Sequence, residues 1–326
     1  MCIRNAVCSK SDGKMEIIHG LENLGVYEGP VYMTLGAFDG VHLAHQRLIR
    51  MLVDEARKGR GLCVLVTFDP LPRSVVHSDD KGLVLTSTEH KLRILEGLGL
   101  DIVVVIKFTA EFAAITAEKF LTDVILSHFK ALSKFIIGPR AHFGHKAEGS
   151  ADYLALFGGE NGFQVEITDE MVIDDAVVSS SAIRKLIRSG ELGVAETYLG
   201  RKYSLLGTVI SGRRIGRNLG FPTANIDPEN EVHPPSGVYI VEIDIDGKAY
   251  PGVLNIGYRP TITKRDDLEP AIEAHIIGFT GKIYGRKIEI IFHKMIRQER
   301  LFADKRELVN QIRRDVDEAT RYLAQK

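Results

Sequence analysis

Residues 31–58 read VYMTLGAFDGVHLAHQRLIRMLVDEARK and contain the pattern that decides the fold of the N-terminal half. An apolar run, Val31–Leu35, comes first, a glycine-containing turn follows, and apolar side chains then recur every three or four residues. The run predicts a buried strand, and the periodicity of His45–Lys58 predicts an amphipathic helix. The stretch therefore predicts a strand that ends in a turn directly before a helix.

The same alternation continues to residue 175. Buried strands are predicted at Leu62–Phe68, Ile102–Ile106 and Lys134–Gly138, because each run is apolar on both faces. Helices are predicted at Thr88–Leu98 and Ala117–Phe129. Strands that alternate with helices are typical of a parallel sheet with crossover helices, so we expect the fold class to be α/β in this half.

After Gly200 the apolar residues alternate with period two, and Gly, Pro, Asn and Asp separate the segments. This spacing predicts an antiparallel barrel or sandwich. Asp304 and Glu307 have the spacing of a capping box before an apolar stripe, which predicts a long C-terminal helix. The predicted strands are Ser204–Ser211, Val238–Asp246, Ala249–Asn255, Ala271–Gly278 and Lys287–Lys294.

Two short helices, Ser181–Ser189 and Leu192–Leu199, are predicted between the halves. At about 150 residues per domain, a chain of 326 residues is expected to form two domains. We place them at residues 15–190 and 198–326.

The composition limits the classes of partner. The net charge is -1, whereas a protein that neutralises nucleic-acid phosphates is usually more basic. Residues 201–326 hold 21 of the 42 basic and 17 of the 43 acidic residues, a net charge of +4 that suits a phosphorylated small ligand. We expect no nucleic-acid partner, no membrane partner, and a monomer or weak homo-oligomer.

The cysteines are Cys2, Cys8 and Cys63, and an odd, sparse set indicates a reducing compartment. Apolar runs such as Ile102–Ile106 are far shorter than the roughly 18 residues of a membrane span. The N-terminus lacks the apolar segment of a signal peptide. We expect a cytoplasmic protein.

Gly36–Gln46 (GAFDGVHLAHQ) is the first candidate site. Ligands of open α/β sheets bind at the carboxyl ends of strands, near a topological switch point. Here His42 and His45 point the same way at a helix start, beside free backbone N–H groups and the positive end of the helix dipole. Glycines let the backbone approach a ligand closely, so the segment predicts a triphosphate site.

Gly207–Asn225 (GTVISGRRIGRNLGFPTAN) is the second candidate site. Its glycines at every fourth position and its arginines, including Arg217, allow a flexible cover that touches phosphates. Thr223 and Asn225 alternate, so they share one face of an extended segment. Two neutral oxygens together with nucleotide phosphates suit Mg²⁺, the cofactor we predict.

These segments resemble the bacterial bifunctional riboflavin kinase/FMN adenylyltransferase (FAD synthetase) family. The resemblance rests on FDGVH within the first site, VTFDPLPR at residues 66–73, the glycine-rich Gly138–Gly149, VSSSAIR at residues 178–184, and LGFPTAN at residues 219–225. It implies a Rossmann-like nucleotidyltransferase domain and a flavokinase barrel. The implied substrates are riboflavin, FMN and ATP.

The resemblance also implies roles for particular residues. Glu273 would be the general base for riboflavin, and His42, His45 and Arg184 would serve adenylyl transfer. Flavin contacts would come from Asn255, Arg297 and Phe302, and metal ligation from Thr223 and Asn225. The implied ATP and phosphate contacts are Gly36, Phe38, Asp39, Gly40, Ser179, Ser180, Ser181, Gly207, Gly212, Gly216, Arg217, Gly220 and Thr223.

The N-terminal half departs from the family pattern at four positions: Ala44, Leu71, Arg140 and Ala141. Ala44 stands in place of a glycine in the His-x-Gly-His core, and Arg140 stands where Asp or Asn is usual. The departures favour an alternative, an active riboflavin kinase with a weakened or inactive adenylyltransferase domain. A flavin-binding protein without turnover, and a nucleotidyl transfer to another phosphate ester, are further alternatives.

Overall fold

The computed structural model describes residues 3–4, 14–76, 84–212, 216, 219–258 and 270–325 of the chain. The chain divides into two compact units. The first consists of Met1–Val84 and Thr88–Ser180, and the second of Leu85–Ser87 and Ser181–Lys326. Within the described ranges, no helix is both long enough and apolar enough to cross a membrane.

The first unit is built on a parallel sheet with the strand order β2–β5–β4–β3–β6–β7, and β1 pairs with β3. Strands β4 and β5 lie on one side of β3, and β6 and β7 lie on the other, so the strand order reverses at β3. The turn after β3 is therefore at the switch point. The strands are β1 (Ile3–Arg4), β2 (Glu16–His19), β3 (Val26–Leu35), β4 (Leu62–Asp69), β5 (Ile102–Lys107), β6 (Phe129–Ile137) and β7 (Gln164–Ile167).

Helices cover both faces of this sheet. Leu52 and Leu95 share a buried cluster with Leu65 on one face, and Phe120 and Leu154 share another with Val64 on the opposite face. The helices up to the second unit are α1 (Leu43–Lys58), α2 (Pro72–Val76), α3 (Thr88–Glu96), α4 (Ala110–Ala113), α5 (Ala117–Lys119) with a π-helical continuation (Phe120–Leu126), and α6 (Ala151–Asn161). A two-stranded ribbon, β8 (Val172–Ile173) and β9 (Ala176–Val177), and the helices α7 (Ser180–Ser189) and α8 (Leu192–Leu199) follow.

The second unit is a closed antiparallel barrel in the order β10–β11–β14–β13–β12–β15. Fully buried side chains such as Leu254, Ala274 and Ile290 fill its interior. The last helix packs Ala319 against Val253 and neighbouring residues of the wall. The elements are β10 (Ser204–Ile210), β11 (Ala224–Pro228), β12 (Gly237–Ile245), β13 (Lys248–Tyr258), β14 (Pro270–Ile276), β15 (Lys287–Arg297) and α9 (Lys305–Ala324).

The predicted fold class is confirmed in both units. Six of the described strands were not predicted from the sequence: β1, β2, β7 and the two ribbon strands are short, and β11 contains proline. The predicted helix Ala117–Phe129 is one residue too long, because helical backbone continues through His128 and Phe129 begins β6. Phe129 is fully buried and stacks on Tyr27, so packing in the sheet decides its conformation.

Leu85–Ser87 belongs to the second unit although it lies between β4 and α3 in sequence. The Asn230 amide donates to the Leu85 carbonyl, and the Ser87 hydroxyl donates to Glu229 at 2.7 Å. Leu85 is fully buried. Three residues from the N-terminal half of the sequence therefore pack as part of the second unit.

Helix α9 begins with a reciprocal cap. The Asp304 carboxylate accepts from the Glu307 N–H at 2.8 Å, and the Glu307 carboxylate accepts from the Ala303 N–H at 2.9 Å. The predicted pair thus forms, although Glu307 reaches Ala303 rather than Asp304. Two N–H groups that the helix cannot satisfy are paired in this way.

We predict that Asp304→Ala lowers the free energy of unfolding of the barrel by about 1 kcal/mol, because one helix N–H loses its acceptor. The matched control is Asp317→Ala, an exposed position in the middle of the same helix. Urea unfolding of both variants measures the difference. Equal stability of the two variants would contradict the capping role.

Candidate active sites

A cavity of about 630 Å³ opens on the outer face of the barrel. Ile272 and Ala274 of β14 are buried in the interior, so Glu273 between them faces outward. The cavity is lined by Gly216, Leu219, Phe221, Thr223, Val238, Val253, Asn255, Glu273, His275, Arg297, Glu299, Arg300, Leu301, Phe302, Leu308 and Ile312.

A row of three polar side chains crosses the wall of this cavity. In the strand register, Glu273 lies opposite Asn225 of β11 on one side and opposite Asn255 of β13 on the other. Directly opposed residues of antiparallel strands present their side chains to the same face. The Thr223 hydroxyl lies 3.5 Å from a Glu273 carboxylate oxygen. The register therefore places a carboxylate between two amides, with a hydroxyl at one end.

Two glycines leave room beside this row. A Cβ atom on Gly212 would lie 2.1 Å from the Asn225 amide nitrogen, and one on Gly216 would lie 2.4 Å from the Phe221 carbonyl oxygen. Real Cβ atoms do not approach so closely. Hence Asn225, which is 9% exposed, can lie against the backbone only because position 212 is glycine.

Arg297 is held by the last helix. Its Nη2 donates to Asp315 at 2.8 Å and its Nε donates to the same carboxylate at 3.1 Å. Asp315 is 2% exposed, and Gln311 donates to it at 2.8 Å. A two-point guanidinium–carboxylate contact fixes orientation as well as distance.

The segment between β15 and α9 lies over the cavity. The guanidinium groups of Arg297 and Arg300 lie 5.6 and 4.9 Å from the centre of the Phe302 ring. Leu301 beside them is fully exposed. On the other side, the Asn255 amide donates to Glu299 at 3.2 Å. An aromatic ring and two cations thus border the cavity opposite Glu273.

The structure brings six of the predicted site residues to this cavity: Gly216, Thr223, Asn255, Glu273, Arg297 and Phe302. Asn225 adjoins it through the row. Gly207 lies within β10, where a Cβ would meet Ile226 of β11 at 2.6 Å, so its closest surroundings are a neighbouring strand. Gly220 adopts a φ of +84°, and Arg217 lies outside the described residues.

Several lining residues were not predicted as site residues. His275 follows Glu273 by two positions, which puts both on the outer face, and its Nδ1 donates to the Pro222 carbonyl at 2.8 Å. Its ring also meets Phe221 edge-on at 5.6 Å. The period-two alternation of β14 could have identified His275, whereas Glu299 reaches the cavity through long-range folding that no local pattern indicates.

The first candidate site lies in the first unit, at the turn Gly36–Val41 after β3. Phe38, Gly40 and Val41 have φ values of +49°, +80° and +38°. Such left-handed backbone is unusual for non-glycine residues and is typical of functional turns. Asp39 is 2% exposed, and its carbonyl accepts from the Ser180 hydroxyl at 2.9 Å.

His42 and His45 stack at the start of α1, with ring centres 3.6 Å apart. The His42 ring caps the helix by accepting from the His45 N–H at 3.4 Å. Burial, with the charges of His42 and Lys91, lowers the pKa of His45 well below its usual range. In the described part of the chain, His45 Nδ1 has no hydrogen-bond partner. At neutral pH the pair therefore presents a neutral His45 imidazole.

Lys91 lies beneath the same turn and was not predicted as a site residue. It is 1% exposed, and burial lowers its pKa to about 8 although Asp39 and Asp69 act to raise it. Lys91 lies one turn before Leu95 on the buried side of α3, but the groups that it meets are distant in sequence.

The serine–arginine segment is split between the units. Ser179 and Ser180 belong to the first unit, whereas Ser181 and Arg184 belong to the second. Within α7 the Arg184 guanidinium lies 3.5 Å from the Ser181 hydroxyl. Their assignment to ATP stays a prediction.

The first unit contains a cavity of about 600 Å³, here called the aromatic cavity, whose lining includes five phenylalanine rings. Phe68, Phe108, Phe112, Phe120 and Phe143 follow one another with ring centres 5.4–6.0 Å apart. The polar side chains at this cavity are His142, His145 and Lys146. It is suited to a flat aromatic group with an anionic substituent.

Arg140 forms an ion pair with Glu170 at 2.8 Å and is 60% exposed. It is not among the described residues that line the aromatic cavity. Ala141 packs against the core of the first unit, and Ala44 is half-buried in the first turn of α1. The positive charge of Arg140 is therefore offset at the surface.

A protein of Escherichia coli (strain K12) named bifunctional riboflavin kinase/FMN adenylyltransferase is 36% identical over 305 residues, which cover 92% of this chain and 96% of the relative. The chain belongs to this family. A family member from Bacillus subtilis (strain 168) with the same name is 35% identical over 298 residues, covering 90% and 92% of the two chains. The resemblance identified from the motifs is confirmed.

The family's two domains are both present. A riboflavin kinase model matches residues 199–323, and an FAD synthetase model matches residues 26–182. A solved structure titled macrolide-efflux protein, from Streptococcus pneumoniae, aligns with a TM-score of 0.81 and 26% identity, covering 94% of this chain and 99% of that one. Both sites described above therefore lie within domains of the family.

We predict that Asp315→Ala lowers the free energy of unfolding of the barrel by about 3 kcal/mol, because it leaves the Arg297 charge without its buried carboxylate. The double variant Arg297→Met/Asp315→Leu should recover most of this loss, since neither charge then remains. Urea unfolding of Asp315→Leu, Arg297→Met and the double variant gives the coupling free energy. Additive losses would show that the ion pair is not a unit.

Proposed function

We propose that this chain phosphorylates riboflavin to FMN with ATP in its barrel, and adenylylates FMN to FAD with release of diphosphate in its N-terminal domain. The observation that carries the proposal is that both family models match, on separate stretches of one chain. We place the activities in domains at residues 198–326 and 15–190, and the protein in the cytoplasm.

In the kinase reaction Glu273 accepts the proton of the riboflavin 5′-hydroxyl, whose oxygen attacks the γ-phosphorus while ADP leaves. The carboxylate is on the cavity wall, where a hydroxyl can reach it. We place the flavin ring in this cavity against Phe302, with Arg297 and Asn255 on either side of it. Most of the rate enhancement then comes from positioning and charge stabilisation.

The donor set beside Glu273 fits Mg²⁺. Thr223 and Asn225 supply neutral oxygens. A Cβ atom at position 212 would clash with Asn225, and one at position 216 would clash with the Phe221 carbonyl, so glycine at both positions lets these residues keep their places. Mg²⁺ prefers oxygen ligands and keeps waters and substrate phosphates in its shell. When bound, it neutralises charge on the nucleotide phosphates, while Thr223 and Asn225 fix where those phosphates lie.

In the adenylyl transfer an oxygen of the FMN phosphate attacks the α-phosphorus of ATP, and diphosphate leaves. We assign the phosphates to the Gly36–Val41 turn and the start of α1, where backbone N–H groups and the helix dipole favour anions. The neutral His45 contributes a hydrogen bond rather than a charge. His42 and Ser180 of the same unit complete the assignment.

The aromatic cavity of the first unit suits the isoalloxazine ring of FMN. Its edge-to-face phenylalanines offer apolar contact over an area that a planar ring can fill. His142, His145 and Lys146 at its polar side suit the FMN phosphate. The flavin would thus have a separate binding place in each domain.

The decisive test is incubation with riboflavin, ATP and Mg²⁺, with FMN and FAD separated by chromatography over time. We expect FMN to form first and FAD to follow, and FAD to form directly from supplied FMN. FMN without FAD would establish the kinase alone. Tight flavin binding without either product would indicate a binding protein.

We predict that Glu273→Gln lowers riboflavin phosphorylation about 10²-fold, because the variant keeps the shape but cannot accept the proton. FAD formation from supplied FMN should persist in the same protein. The matched control is Glu242→Gln, a partly exposed carboxylate on β12. Near-normal FMN formation by Glu273→Gln would show that the base is elsewhere.

We predict that Arg140→Asn changes FAD formation by less than about twofold, because its exposed pair with Glu170 contributes little. The rate of FAD formation from FMN and ATP is the measurement, with Glu170→Gln as its companion variant. A tenfold increase on restoring the family's residue would favour the alternative of a weakened adenylyltransferase.

A further inference from the structure

Lys91 is a buried cation in an unfavourable place. It lies in the first turn of α3, where the positive end of the helix dipole disfavours a second positive charge. It is 1% exposed, so its ammonium has lost nearly all of its water. A charged group at so unfavourable a place is a candidate for a role in the site around it.

The hydrogen bonds of Lys91 join two strand ends. Its Nζ donates to the Ala37 carbonyl at 3.1 Å, to the Thr67 hydroxyl at 2.9 Å and to the Phe68 carbonyl at 3.3 Å. Ala37 belongs to the Gly36–Val41 turn after β3, and Phe68 is near the end of β4. An ammonium has three N–H groups, and a neutral amine has two, so the full set needs the proton.

The same side chain touches the surroundings of both proposed substrates. The carbonyl of Ala37 is in the turn assigned to the nucleotide phosphates, and the ring of Phe68 lines the aromatic cavity. The described hydrogen-bond acceptors of Lys91 are neutral oxygens, so its charge is not cancelled by direct ion pairing. The carboxylates of Asp39 in the turn and Asp69 in β4 act to raise the pKa of Lys91. The charge of Lys91 in turn lowers the pKa of His45 in α1.

We propose that Lys91 is a positioning residue for adenylyl transfer: its ammonium fixes the nucleotide turn relative to the strand end that carries Phe68, and its charge acts on the phosphates bound above. The inference rests on the proposed adenylyltransferase function. A bound triphosphate stabilises the protonated form of Lys91. The position of the turn relative to the end of β4 depends in turn on that proton, because three hydrogen bonds need the ammonium.

The test compares Lys91→Met with Lys119→Met, an exposed lysine in the same unit. We expect Lys91→Met to lower kcat for FAD formation from FMN about 10²-fold, with riboflavin phosphorylation by the same chain unchanged. The wild-type kcat/KM for Mg·ATP should fall as pH rises through about 8, where Lys91 loses its proton in the free enzyme. This alkaline loss should be absent from the residual activity of Lys91→Met.

A second measurement uses the wild-type protein, so it does not depend on the folding of a variant. Lysine labelled with ¹³C at Cε reports the titration of Lys91 by NMR, and we expect Mg·ATP to raise its pKa. A pKa that Mg·ATP leaves unchanged overturns the proposal, as does a folded Lys91→Met protein with normal FAD formation. If the wild type forms no FAD, the adenylyltransferase function itself fails.

Discussion

The proposed kinase site depends on the strand register of β11, β14 and β13. Because that register sets Glu273 between Asn225 and Asn255, three polar side chains share the outer face while Ile272 and Ala274 fill the interior. A shift of one residue would turn the Glu273 carboxylate into the apolar core. The free-energy cost of burying an unpaired charge opposes that shift. The hydrophobic alternation that closes the barrel therefore also fixes the arrangement of these three polar side chains on the outer face.

The N-terminal site is built on a different constraint. Parallel strands end at one edge of the sheet, and the reversal of strand order at β3 leaves a crevice there. The backbone of the Gly36–Val41 turn is left-handed at three residues, and buried polar contacts from Lys91 and Ser180 hold it. Here the rigid sheet supplies the frame, and a few buried hydrogen bonds set the position of the turn.

The alternation of apolar residues was sufficient to predict both fold classes and most strands, because it reflects which face is buried. Short strands, and the proline-containing strand β11, were not predicted, because their pairing is decided by neighbours distant in sequence. The motifs identified Glu273 and Thr223 at the cavity that the structure contains. Lys91, Glu299 and the contribution of Leu85–Ser87 to the second unit could not be predicted in the same way, because each depends on which segments fold together.

We propose that the row on the outer face of the barrel receives the riboflavin hydroxyl. A crystal structure of the chain with riboflavin and Mg·ADP would show whether it does. We expect the ribityl 5′-oxygen at hydrogen-bond distance from Glu273, the metal on Thr223 and Asn225, and the flavin ring beside Phe302. A flavin bound away from this cavity, or a hydroxyl out of reach of Glu273 with the metal on other residues, would contradict it.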